Sequence, residues 1–371
     1  MRITSQRIRT LSEKMLNILN HYFGTKLLNR IDPEISHAIA LCYLRLLNQF
    51  AKKKEIGASM LKTQIAGIEV PSPIGLAAGF DKNAEVYSKM FNLGFGFVEV
   101  GTVTPRPQEG NSKPRIHRIK KERAIINSLG FNSIGFEKVK VNLLNKKTEG
   151  IIGVNIGANK DSKIFIDDYI SGIKFFSNHV SYITINISSP NTPGLRELHI
   201  EKNLKDLLEK IKNLKTNNEI VEVPLLIKIS PDVNDDDLSI MCDIFLEFNV
   251  DGIIISNTTL ERPFKGFGEN LKGGLSGELL YQTSTDQLKK VYEHTKGQIP
   301  LIGVGGISSA KDAYNKIRNG ASLVQLYTGI VYHGPGLIKK MNREISTLLK
   351  NDGFDSISDA VGVDAEIKNG T

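Results

Sequence analysis

Residues 300–328, PLIGVGGISSAKDAYNKIRNGASLVQLYT, hold one complete strand–helix–strand unit. Leu301 to Val304 is a short apolar run that breaks at Gly305-Gly306, Ala310 to Asn319 has helical periodicity, and Leu323 to Tyr327 is a second apolar run closing on polar residues. The same rhythm extends upstream through Ile74 to Ala78, Phe97 to Gly101, Ile151 to Ile156, Tyr182 to Ile187, Leu225 to Ile229 and Gly252 to Ser256. Helical stretches separate most of these runs: Ala84 to Asn92, Ile164 to Asn178, Leu204 to Leu214, Asp236 to Phe248, Thr285 to Thr295 and, at the end, Leu337 to Leu349. Strands that are apolar on both faces and alternate with helices imply a parallel sheet, and eight of them favour an α/β fold of the closed (β/α)8 TIM-barrel type.

Ahead of this body, Thr63 to Ala66 and Ile68 to Val70 turn at Gly67 and predict a hairpin able to plug the barrel floor. Further upstream, Leu11, Met15, Leu16, Ile18, Leu19, Tyr22 and Phe23 fall on one side of a helical wheel. A second helix starts at Asp32, a capping residue, followed by Pro33 and Glu34. Its stripe of Ile35, Ala38, Ile39, Cys42, Tyr43, Leu46 and Phe50, with Leu41, Leu44 and Leu47 outside it, is more apolar surface than one neighbour needs. The expected division is an N-terminal helical segment over 1–60, a barrel over 61–350 and a tail over 351–371.

Charge is unevenly placed. The chain of 371 residues carries a formal charge of +8. Residues 1–55 hold ten Lys/Arg against four Asp/Glu, a surplus of six, so the basicity belongs to one end. The longest apolar run there, Ala38 to Leu44, stops at Arg45, far short of the roughly 20 residues a membrane span needs. A basic amphipathic helix pair predicts attachment to an anionic membrane surface, the alternative being a hairpin packed on its own domain. Nucleic acid is not expected as a partner. The two cysteines, Cys42 and Cys242, form no metal-ligand cluster, and no metal is expected.

In a barrel of this type the reactive groups gather at the C-terminal ends of the strands. Those ends supply Ala78-Gly79-Phe80-Asp81-Lys82, Thr102, Asn155, Asn186, Lys228, Ser256-Asn257-Thr258, Gly305-Gly306 and Tyr327-Thr328. Two lysines among amides and hydroxyls, without His, paired carboxylates or Cys, suit a planar, polar, anionic ligand. The three glycines of Gly303-Val304-Gly305-Gly306 before a helix offer backbone N–H groups to a phosphate. Ser189 sits in a dense polar loop, Asn186 to Arg196, stiffened by Pro190, Pro193 and Gly194; taken alone such a serine is a turn residue. Lys228 closes an apolar strand and must find a counter-charge.

The strings Ala77 to Lys82, Gly101 through Thr104 to Asn111, Asn127 to Asn132, Asn186 to Arg196 and Gly303 to Ile307 resemble the dihydroorotate dehydrogenase family, in order, over about Asp32 to Gly336. Serine at 189, where the other class has cysteine, and the N-terminal helical extension resemble its membrane-associated, quinone-dependent class 2. The resemblance implies an FMN enzyme oxidising (S)-dihydroorotate to orotate in pyrimidine biosynthesis, with a membrane quinone as final acceptor. Ser189 matches the base that removes the C5 proton while flavin N5 takes hydride from C6. Lys82, Asn127, Ser128, Leu129, Gly130, Phe131, Asn186, Asn191, Asn257 and Thr258 match the substrate cradle. Ala78, Gly79, Phe80, Asp81, Lys82, Thr102, Asn155, Asn186, Lys228, Ser256, Gly277, Gly306, Tyr327 and Thr328 match FMN contacts, and His37 and Arg118 match positions lining a quinone tunnel. A monomer is expected, peripheral on the cytoplasmic side of a bacterial cell membrane, or at the mitochondrial inner membrane for a eukaryotic source.

Three other readings compete. A fumarate-dependent dihydroorotate dehydrogenase leaves the hairpin unexplained. A tRNA dihydrouridine synthase would need a cysteine acid, and Cys42 and Cys242 are badly placed for it. A membrane-bound scaffold without catalysis would carry no yellow cofactor.

Overall fold

The computed structural model describes residues 27–46, 59–145 and 149–366. The predicted first helix, Leu11 to Phe23, lies outside them. Eight parallel strands close into a barrel in the order β3 (Ile74–Leu76), β4 (Phe97–Val103), β7 (Ile151–Ile156), β8 (Tyr182–Asn186), β9 (Leu225–Ile229), β10 (Gly252–Ile255), β12 (Leu301–Val304), β13 (Ala321–Leu326) and back to β3. Each is buried over most of its length because helices cover it outside and the other strands cover it inside. The expected run Leu323 to Tyr327 starts two residues earlier, at Ala321. The predicted helix Ala84 to Asn92 shortens to Tyr87–Met90 plus a 3-10 turn, Phe91–Leu93. Asp81 causes this: its carboxylate accepts from the backbone N–H of Glu85 and Val86, both at 2.7 Å, and holds that segment as a loop.

The floor is closed by the hairpin of β1 (Thr63–Ile65) and β2 (Ile68–Val70). Ile65 and Val70 pack there with Phe97, Tyr182, Leu226 and Ile302 into an apolar plug. Two rings fill it only because neighbouring strands carry glycine. A Cβ on Gly75 would sit 2.2 Å from the Phe97 ring, and one on Gly153 would sit 2.1 Å from that of Tyr182. Pairs of this kind keep an interior at crystal-like density.

At the opposite end a three-stranded antiparallel sheet stands beside the mouth: β5 (Ile116–Ile119), β6 (Ala124–Asn127) and β11 (Gly274–Gly277). The sequence reading did not anticipate it, since its strands are short and β11 lies about 150 residues from its partner β6.

The helix Pro33–Leu46 begins as read, with Asp32 Oδ1 accepting from the N–H groups of Glu34 and Ile35 at 2.9 and 3.0 Å. It docks on this side sheet through Glu34, which meets Arg115 Nη2 at 2.9 Å, and through Ser36, which Arg118 Nη2 contacts. The apolar stripe read as more surface than one neighbour needs is turned outward. Ile35, Ile39, Tyr43 and Leu46 are 46–77% exposed, while Leu44 and Leu41 outside that stripe face the barrel. The tail from Phe354 to Glu366 runs over the helix Ala310–Arg318, where Arg318 pairs with Asp352 and Asp364.

Candidate active site

The C-terminal ends of the barrel strands surround a cavity of about 1330 Å³, counted with its open mouth. Seven of the eight strands or their following loops line it directly: Ala77 to Gly79 and Lys82 after β3, Thr102 of β4, Asn186, Ser189 and Asn191 after β8, Lys228 of β9, Ser256 to Thr258 after β10, Val304 to Ser308 at β12, and Leu326 to Gly329 at β13. The side sheet adds Asn127, Leu129, Gly130, Phe131, Ser276 and Gly277. Residues spread over some 250 positions therefore meet in one place, which follows from all eight strands pointing the same way.

Asn155, from the eighth strand β7, lies behind the lining and fully buried. Its Oδ1 accepts from Thr102 Oγ1 and, at 3.2 Å, from Asn186 Nδ2, while its own Nδ2 donates to Glu99 at 2.8 Å. Glu99 is a residue the sequence reading missed. Its signal was available, a carboxylate inside the apolar run Phe97 to Gly101. Tyr182, Thr184 and Gln325 also donate to it, at 3.2, 3.0 and 2.9 Å.

Burial pushes the Lys228 ammonium below its usual range, and the charge of Glu99 acts against that shift, supplying the expected counter-charge. Lys82 is held down to about 7, chiefly by burial, with Arg115 adding to the shift and Glu34 opposing it. Its Nζ donates to Asn132 Oδ1 at 2.6 Å. A bound carboxylate would restore its charge, so Lys82 is a cation that an anionic ligand completes.

The Ser189 loop is rigid for reasons beyond its prolines. Arg196 donates to the Ser188 carbonyl at 3.2 Å and to Asp232 at 2.9 Å, and Asp232 accepts in turn from the Leu260 N–H at 2.8 Å. One guanidinium thus ties together the loops after β8, β9 and β10. Ser189 is 5% exposed, and its Oγ accepts from the Asn191 N–H at 3.3 Å. Asn191 Nδ2 donates to the Asn127 carbonyl at 3.1 Å, which knits this loop to the side sheet. Thr258 lines the same cavity, while its Oγ1 is buried against Gly274 and has no hydrogen-bond partner among the described residues.

Of the three glycines before the helix, Gly305 and Gly306 line the cavity, whereas Gly303 packs against Lys316 on the outer side of β12. The helix starts only at Ala310, with Ser309 as its cap. The phosphate-type donors are therefore the loop N–H groups together with the backbone at Thr328 and Gly329 opposite. Gly306 has φ 73° and a Cβ there would lie 2.3 Å from Tyr281 Cα, so only glycine lets the loop pass.

Some expected contacts lie off the lining. Asp81 spends both carboxylate oxygens on its own loop, as described above. Ser128 turns its carbonyl to Asn111 Nδ2 at 2.9 Å. The Phe80 ring stacks edge-on against Tyr327 at 5.6 Å and against His37 at 5.2 Å, so His37 stands one ring behind the cavity wall. Burial, with help from Lys82, lowers His37 to about 4 and keeps its imidazole neutral. Arg118 donates to the carbonyls of Leu28 and Ile31 at 3.1 and 2.9 Å and holds the N-terminal segment down. A mouth without His, paired carboxylates or Cys was expected, yet His333 stands on the lining beside Arg123 and a single carboxylate, Glu278, with Arg123 Nη1 3.0 Å from Glu278 Oε1 and His333 Nε2 3.5 Å from it. The unanticipated side sheet brings Arg123 and Glu278 there, and His333 comes from the short helix Thr328–His333 that follows β13.

A sequence model of the family described as dihydroorotate dehydrogenase matches residues 60–349. A dihydroorotate dehydrogenase (quinone) of Parvibaculum lavamentivorans is 46% identical over 344 residues, covering 92% of this chain and 97% of its own. The mitochondrial dihydroorotate dehydrogenase (quinone) of Oryza sativa subsp. japonica is 43% identical over 366 residues, covering 90% and 78%. A crystal structure of DHODH from Eimeria tenella in complex with ferulenol superposes with a TM-score of 0.84 at 36% identity, covering 90% of this chain and 96% of that one.

Proposed function

The chain belongs to the dihydroorotate dehydrogenase family, and we infer that it oxidises (S)-dihydroorotate to orotate in pyrimidine biosynthesis and delivers the electrons to a quinone. The observation that carries this reading is the convergence of Ser189, Lys82 and the amides Asn127, Asn186, Asn191 and Asn257 on one cavity. Orotate is a flat imide with a carboxylate. Paired donors and acceptors from asparagine match its ring edges, and the Lys82 ammonium matches its charge.

The cofactor proposed for the rest of the cavity is FMN, which when bound would supply the acceptor for the hydride that leaves the substrate. Gly305, Gly306 and Thr328 offer backbone and hydroxyl donors for its phosphate, Lys228 offers a cation for the ring, and Ala78, Gly79, Thr102, Ser256, Gly277 and Tyr327 frame it.

Ser189 takes the C5 proton and hands its own hydroxyl proton onward toward solvent at the open mouth of the cavity, so that the side chain ends neutral. A hydroxyl is a weak base in water, so it works only where burial and a fixed loop aim one lone pair at the reacting carbon. The Asn191 N–H and the Arg196 anchor supply that fixity.

The exposed stripe Ile35, Ile39, Tyr43 and Leu46, in a segment rich in Lys and Arg, is assigned to a bilayer surface. Among the described residues no helix is long and apolar enough to cross a membrane. Quinone then approaches along this helix toward His37, Phe80 and Tyr327.

Ser189→Ala tests the assignment. Flavin reduction by dihydroorotate, followed anaerobically, should slow about a hundredfold or more while FMN remains bound. Reduction at the wild-type rate would remove Ser189 from the role of base.

A further inference from the structure

Glu99 lies at the centre of the barrel, fully buried, beneath the cavity and outside its lining. Four side chains from three other strands donate to it: Asn155 of β7, Tyr182 and Thr184 of β8, and Gln325 of β13. A carboxylate is an acceptor only. That fact has consequences further up, because one of the four donors, Asn155, carries the connection on to residues that face the cavity.

With its NH2 group turned to Glu99, Asn155 must turn its carbonyl oxygen toward Thr102 and Asn186, and both must donate to it. Thr102 has one hydroxyl hydrogen and spends it there. It therefore accepts from Asn186 Nδ2 at 3.1 Å, and any further bond it makes toward the cavity is as an acceptor. Asn186 is fixed by the same logic. Its NH2 is committed to the rung below, so its Oδ1 faces outward and accepts from Ser188 Oγ at 2.9 Å and from Asn257 Nδ2 at 3.3 Å. Reversing Asn155 would put two acceptors 2.8 Å apart, which the buried site cannot tolerate.

We propose that Glu99 is a positioning residue that sets the direction of the Asn155–Thr102–Asn186 hydrogen-bond ladder, so that Thr102 meets a bound flavin as an acceptor and Asn186 presents a single orientation. This rests on the functional reading above, in which the cavity holds FMN. The same carboxylate supports the charge of Lys228, which also faces the cavity. With glutamine at 99 the amide of Asn155 is free to turn over, and the Thr102 hydrogen is released toward the ligand.

The test is an exchange of the acid between the two rungs. In Glu99→Gln the direction is lost. In Asn155→Asp alone, two carboxylates face each other across one hydrogen bond. In the double variant the carboxylate sits one rung higher, still accepting from Thr102 and Asn186 and now also from Gln at 99. FMN release on diluting the holoenzyme, read as recovery of free-flavin fluorescence, gives the affinity without turnover.

Each single variant should hold FMN about tenfold or more weaker, the worth of one buried hydrogen bond, and the double variant should return to within about threefold of wild type. A double variant no better than the weaker single, or Glu99→Gln with wild-type affinity, would overturn the proposal. Should Glu99→Gln fail to accumulate, recovery of folded, FMN-bound protein in the double variant is expected, and a double variant that also fails overturns it. Wild-type protein without FMN would instead overturn the functional reading, and the proposal with it.

Discussion

The two ends of one barrel are built from the same strands and differ almost completely in chemistry. At the floor, Phe97 and Tyr182 lie edge to face at 6.4 Å under the β1–β2 hairpin and fill their space against glycines of the neighbouring strands. Two residues along β4 from Phe97 stands Glu99, and beyond it Thr102. Tyr182 and Asn186 bear the same relation on β8. Within a few residues, about 10–15 Å at the rise of a strand, the interior passes from rings to a buried acid to an amide ladder and then to the cavity. Stability is concentrated at one end and polarity at the other, and the ladder between them lets a rigid base aim a reactive mouth.

Truncation at the floor is the strongest way to break that division. Phe97→Ala should cost roughly 3–5 kcal/mol of stability, read by chemical denaturation, because the cavity it leaves is walled by a closed barrel. Below the new transition, KM for dihydroorotate should stay within about twofold of wild type. A matching shift in KM would show that the two ends are not separable.

A smaller effect sharpens the other side. Burial holds Lys82 near 7 in the free protein, so its ammonium is present below that pH and is lost as pH rises above it. Dihydroorotate affinity should then fall above pH 7, by at most about tenfold per unit. Lys82→Ala should bind weakly at all pH values and lose this dependence. A wild-type profile flat from pH 6 to 9 would separate Lys82 from the substrate carboxylate.

The same contrast explains what could be read before the structure. The barrel was legible because doubly buried strands write themselves as apolar runs such as Leu225 to Ile229, and a hairpin under the floor because Gly67 marks its turn. The strand-end residues followed from the barrel alone. Glu99 was visible as a carboxylate inside an apolar run, but its role was not, because that depends on Asn155, Thr184 and Gln325, which are up to 226 positions away and come together only on closure. The side sheet was hidden because β11 pairs with β6 across a gap that leaves no local pattern, and it brought Arg123 and Glu278 unannounced. The helix Pro33–Leu46 was recognised by its cap and its apolar surplus, but the polar face it docks with was not, since Arg115 and Arg118, which hold it, lie 81 and 82 positions from Glu34 and Ser36.

One measurement bears most directly on the claim that the mouth of this barrel is a flavin-dependent dihydroorotate site. Purified protein should absorb in the visible range as a flavoprotein and bleach when dihydroorotate is added without oxygen. A colourless protein, or a yellow one whose spectrum the substrate leaves unchanged, would contradict it.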